Sequence, residues 1–124
     1  MMGVNPRIEA EEDFQIIKEY TLLPILLDML ARDMNELKKH RDKMIYNHVL
    51  MYLKEIEEAI YPELRDLKRR MRARDIRILH TEKNAQGIRV EYKVRGYIHY
   101  FTMLRSLVKA ELMTLLMNMR RRSG

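Results

Sequence analysis

Four histidines, His40, His48, His80 and His99, are scattered along the 124 residues, and one of them stands at a spacing that metal chemistry uses. Glu36 and His40 are one helical turn apart, but a two-metal site between helices needs a second such pair, which the chain lacks. His80 and His99 would meet if a strand and the helix after it were neighbours. Neither has an obvious carboxylate to orient it; Glu82 and Glu91 are the nearest in sequence. Ser106 and Ser123 are the serines, and neither sits in a glycine-flanked nucleophile turn. Four scattered glycines form no phosphate-cradling loop. The absence of cysteine removes a thiol nucleophile, thiolate zinc ligation and disulfides together. Glu11, Glu12 and Asp13 read as the acidic first turn of a helix. The expectation is no enzymatic activity, no cofactor and no metal.

Basic residues carry the one patterned signal. Residues 65–77 hold seven cations against two carboxylates, whereas residues 1–30 hold two cations against six. Arg65, Lys68, Arg69 and Arg72 are spaced to project from one side of a helix, away from Leu64, Leu67 and Met71. Arg77, Arg89 and Lys93, with Arg95, follow on two strand-like segments. Arg65, Lys68, Arg69, Arg72, Arg77, Arg89 and Lys93 are the seven expected phosphate contacts. Arg120, Arg121 and Arg122 add a basic C-terminus.

A basic helix followed by a basic hairpin resembles the way a winged-helix domain meets DNA, over about a quarter of the chain. The segment 44–60 before it departs from that pattern, because it reads as a long helix rather than a short one and a tight turn. Residues 63–75 also contain no Asn, Gln or Ser for base edges, so phosphate contact should dominate any binding. Two other readings account for the same charges. Asp66 can pair with Arg69 or Arg70 on a solvated face, or the basic face can dock on the acidic N-terminal segment.

The elements that must position these residues follow from hydrophobic spacing. Ile16, Tyr20, Leu23, Leu27, Leu30, Met34 and Leu37 form a helical seam over 10–38, with a kink or restart expected at Pro24 and Thr21 as the new cap. A second seam runs Ile45, Val49, Tyr52, Ile56, Ile60, Leu64, Leu67, Met71, and Pro62 divides it into helices 43–60 and 62–74. From Ile76 the period becomes two, with the clearest strand at Ile88, Val90, Tyr92 and Val94, so a two-stranded hairpin is expected at 76–94. That hairpin needs a helix beneath it, most simply the last one.

A final helix over 97–121 would carry two apolar stripes. One is Tyr97, Phe101, Leu104, Val108, Leu112, Leu115 and Met119; the other is Met103, Leu107, Ala110, Met113 and Met117. A helix apolar on two sides is central or shared with a partner. Met103, Leu107, Met113 and Met117 are therefore the expected homodimer seam, suited to repacking by their thioethers. The fold class is α+β, predominantly α, in one domain over 1–124 with flexible ends at 1–9 and 121–124.

Composition sets the outer bounds. With 47% hydrophobic and 34% charged residues, and a net charge of +6, the chain can fill a core and keep a basic surface. Met1–Glu12 lacks the basic-then-apolar order of a leader, and the apolar runs 22–27 and 112–119 are too short to span a bilayer. A cytoplasmic location is expected. The function expected first is a small non-enzymatic nucleic-acid-binding or regulatory protein; the alternative is an adaptor that works through the Met/Leu helix surface. An acidic protein is a further candidate partner.

Overall fold

The computed structural model describes residues 10–123. In chain order these form helix α1 (Glu11–Lys38), helix α2 (Met44–Ala73), strands β1 (Ile76–Asn84), β2 (Gly87–Val94) and β3 (Tyr97–Leu104), and helix α3 (Arg105–Ser123). The class is α+β and mostly helical. The segment 1–9 and the last residue lie outside the described residues.

Both prolines expected to divide helices lie inside continuous ones. Pro24 and Pro62 are exposed, so the carbonyl each leaves without an N–H partner belongs to the solvent side of its helix. The opposite side is held by Leu22, Leu23 and Leu26 around Pro24, and by Ile60 and Leu67 around Pro62, all buried. Packing on both flanks outweighs the one missing bond. Thr21 is accordingly no cap: its buried hydroxyl donates to the Ile17 carbonyl one turn back, at 2.7 Å. The segment 62–74 is the last part of α2 rather than a separate recognition helix, which removes the helix-turn-helix half of the winged-helix resemblance.

The strand count also differs from expectation. Residues 97–104 form a third strand, not the first two turns of the last helix. The 4-3-4 spacing of Tyr97, Phe101, Leu104 and Val108 fits a helix, but Tyr97–Thr102 is almost wholly aromatic, β-branched or His, which favours a pleated surface. Arg95 and Gly96 form the two-residue turn before it, with φ of 47° and 91°, both left-handed as a tight hairpin turn requires. The sheet is an antiparallel meander, β1-β2-β3. Its register pairs Arg77 with Lys93 and Lys93 with Ile98; one rung on, Glu91 lies between His80 and Tyr100. A bulge between Ile78 and His80 inserts Leu79 on β1.

One face of the sheet is core and the other is open. Ile88, Val90, Tyr92 and Val94 are buried, with β2 against α3 and β1 against α2. Met103 is buried at 2% exposure, opposite Ile88, so it is a core residue and no part of an exposed seam. Phe101 packs edge-on against Phe14 of α1 at 5.2 Å and against Tyr92 at 5.8 Å, tying the outer strand to the first helix. α1 lies antiparallel to α2 and also to α3, whose Glu111 meets Lys18 at 3.3 Å. Being covered on two sides explains why Ile17, Leu22 and Leu26 are buried beside the expected seam.

Candidate nucleic-acid interface

The cations of α2 divide between two sides of one buried stripe. At about 100° per residue, Arg70 and Arg74 lie on one flank of buried Leu67 and Met71, while Lys68 and Arg72 lie on the other. The first flank faces the start of α1. Arg70 donates to Glu12 at 3.1 Å, and Arg74 donates to Glu12 at 3.2 Å and to Asp13 at 2.6 Å. Arg95, from the β2–β3 turn, donates to the other oxygen of Asp13 at 2.7 Å, and the Ala10 N–H donates to that same oxygen at 2.8 Å. Arg95 also reaches the Arg74 carbonyl at 3.1 Å.

Asp13 is therefore a fully buried carboxylate shared by two guanidiniums and a helix N-terminus. Burial by itself pushes its pKa up; the bonds from Arg95, Ala10 and Arg74 outweigh that and hold it down, at about 2. Arg70, Arg74 and Arg95 are structural cations. The acidic segment does dock on basic residues, but on these three and not on the seven expected at the interface.

The second flank stays open. Lys68 and Arg72 of α2 and Arg77 of β1 line one cleft of about 490 Å³, with Tyr20, Met71, Asp75, Ile76 and Ile78 as its other walls. None of the three cations forms an ion pair among the described residues. Arg77 faces Lys93 across the β1–β2 ladder, which carries the basic surface from the cleft onto the outer sheet face. Arg89 lies further along β2, its guanidinium 5.3 Å from the ring of exposed Tyr100. Arg65 is exposed one turn before Lys68 and Arg69. Arg69 is ion-paired with Asp66, whose carboxyl is held below its usual range by that bond. Lys68, Arg72, Arg77 and Lys93 are thus brought together, Arg65 and Arg89 flank them, and Arg69 is partly neutralised.

The histidines do not converge. His80 is on the outer sheet face beside Glu91, while His99 is on the inner face, stacked on Tyr92 at 5.6 Å. Glu36 pairs with Lys39 at 2.9 Å, and His40 packs edge-on against Tyr46 at 5.5 Å.

Of the expected seam on α3, Leu107, Met113 and Met117 are about half exposed. Met113 borders an apolar groove of about 450 Å³ between α1 and α3, with Leu26, Met29, Val108, Leu112 and Leu116, and with Arg105 and Lys109 at its rim. Leu26 and Met29 could not be placed there from sequence, because they belong to a helix about eighty residues earlier. Tyr20 carries no signal for the basic cleft in the sequence for the same reason: it is part of the α1 seam and reads as core.

A family model described as YhjD protein matches residues 8–123. The chain belongs to the YhjD protein family. The match spans all six elements, so the Asp13 cluster, the basic cleft and the α1–α3 groove all lie within the family's domain. No curated protein and no solved structure matches the chain.

Proposed function

We propose that this YhjD family protein is a non-enzymatic nucleic-acid-binding or regulatory protein that grips the phosphate backbone with the cleft between α2 and β1. The observation that carries this reading is the sorting of its cations: Arg70, Arg74 and Arg95 are engaged by Glu12 and Asp13, while Lys68, Arg72 and Arg77 converge on one cleft without an ion-pair partner among the described residues. Ion pairing at the first set releases nothing to a ligand. Cations held near one another without a carboxylate partner repel each other, and an anion relieves that repulsion. Arg65, Lys93 and Arg89 extend the footprint, with Arg69 at its edge. Base edges would go unread by this set, so binding should be weakly sequence-selective.

The test is fluorescence anisotropy with a random-sequence duplex and a single strand over a range of salt. For a duplex, four to five engaged phosphates give a slope of log K on log salt near about −4. Replacing Lys68, Arg72 and Arg77 together with Ala should flatten that slope by about 3 and leave stability within about 1 kcal/mol, because all three are exposed. Absence of binding at low salt, or a triple variant that binds like the parent, defeats the proposal.

A second reading rests on the apolar groove. Its lips, Met29 and Met113, are exposed, and Leu107 and Met117 continue the apolar surface along α3. This is the geometry of a helix-in-groove contact with a second copy or an adaptor partner. Met113→Asp or Met117→Asp should convert a dimer to a monomer by light scattering with an unchanged melting temperature. A parent that is already monomeric removes the homodimer form of this reading.

A further inference from the structure

The α1–α2 hairpin projects past the rest of the molecule. Arg105, the first residue of α3, shares a cleft with Ile25, Asp28 and Arg32 of α1, so the third helix covers α1 only to about that level. Beyond it stand the end of α1 and the first turns of α2. Every residue from Lys38 to Val49 is exposed. The seam of α2, buried from Ile56 to Met71, therefore continues into solvent: Ile45 is 73% exposed and Met44 85%. The core face of this helix is longer than the core.

The uncovered surface has a definite composition. At about 100° per residue, Met44, His48, Tyr52 and Ile45 fall within one arc of α2, with Met51 at its far border and Val49 at the border next to Leu53, in line with the buried seam. The connection before it, residues 38–43, holds Lys38, Lys39, Arg41 and Lys43 against Asp42, with Lys39 in an exposed pair with Glu36 of α1. Lys43 lies 5.0 Å from the ring of Tyr46, just below that loop. An apolar cap ringed by cations, with a tyrosine at the boundary, has the composition of a membrane-interface contact. No helix among the described residues is long and apolar enough to cross a membrane, so the contact is with one surface only.

We propose that the tip of the α1–α2 hairpin docks on an anionic lipid surface, with Met44, Ile45, Val49 and Met51 entering the acyl boundary and Lys38, Lys39, Arg41 and Lys43 on the headgroups. Charge complementarity selects this occupant over a second copy, because two tips face to face would bring like charges together. The inference stands apart from the nucleic-acid reading, since the tip and the basic cleft are at opposite ends of α2.

Co-sedimentation with phosphatidylcholine vesicles containing about 30% phosphatidylglycerol, beside vesicles of phosphatidylcholine alone, tests it. The full chain should sediment with the anionic vesicles and stay in solution with the neutral ones. Ile45→Asp with Val49→Asp should lower partitioning at least tenfold, and so should changing Lys38, Lys39, Arg41 and Lys43 together to Gln, with melting temperatures unchanged in both. The Lys68, Arg72 and Arg77 triple Ala variant should partition within about threefold of the parent, which separates this site from the cleft. A parent that stays in solution with anionic vesicles at low salt overturns the proposal, as do tip variants that sediment like the parent. A dimer that Ile45→Asp splits, without vesicle binding, assigns the face to a second copy and overturns it as well.

Discussion

Asp13→Asn is expected to destabilise the fold by about 3–5 kcal/mol, read as a lowered denaturation midpoint with an unchanged slope. The carboxylate is fully buried and holds Arg74 at 2.6 Å and Arg95 at 2.7 Å. Removing its charge leaves Arg95 without its ion-pair partner and Arg74 with only the half-exposed Glu12, and the Asn side chain presents a donor where one of them donates. The neighbouring pair supplies the contrast. Glu12→Gln should cost under about 1 kcal/mol, because Glu12 is half exposed and its bonds compete with water.

Acid should reproduce part of the Asp13 effect. The folded-state pKa of about 2 lies below the ordinary value of 3.8, so the stabilisation is fully present above that ordinary value. It is lost as pH falls from about 4 toward 2, and its full size is about 2 kcal/mol. Equilibrium unfolding of parent and Asp13→Asn at a series of pH values checks this. The gap between the two should narrow through that window, and a gap of constant width would show that Asp13 is not the group responsible.

Gly87→Ala is expected to cost at least about 3 kcal/mol or to prevent folding. A Cβ at this position would sit 2.0 Å from the Met103 carbonyl oxygen, 3.0 Å from its carbon and 3.1 Å from the Leu104 Cα. All three are backbone atoms of β3, so no side chain can swing aside. The strand would have to move, and it carries Met103 and Phe101 into the core. Gly87 is also where the β1–β2 turn closes, its N–H and that of Gln86 donating to the Asn84 side chain at 3.1 and 2.8 Å. Gly96→Ala provides the control: nothing lies within 4 Å of a Cβ there. Its cost is the left-handed φ of 91° alone, about 1 kcal/mol. Circular dichroism melts of the two variants should therefore differ by several degrees. Equal melts would mean that the close approach of β2 and β3 is not what requires Gly87.

Local pattern carried much of the architecture. The period of 3.6 placed α1 and α2, and the alternation at Ile88–Val94 placed the central strand and its buried face. Expectation and structure part where local preference and long-range packing compete. Pro24 and Pro62 weigh against helix by their chemistry, but whether the helix continues depends on burial of the opposite side. Tyr97–Leu104 satisfies a helical spacing and a strand composition together, and pairing with β2 decides between them.

The candidate interface divides in the same way. Charge counting alone marks 65–77 as basic, and helix spacing alone groups Arg65, Lys68, Arg69 and Arg72. Which cations remain open to a ligand depends on Glu12 and Asp13, some sixty residues earlier, and only the antiparallel packing of α1 on α2 brings those carboxylates to Arg70 and Arg74. Likewise the apolar seam Ile45–Met71 is plain in the sequence, while the place where its cover ends is set by where α3 begins beside α1. By itself the sequence determines what each helix and strand has to bury and how its charge is distributed, because those depend on spacing within one element. The tertiary structure decides which charges are neutralised and which apolar faces stay bare, because those depend on neighbours that chain distance does not reveal.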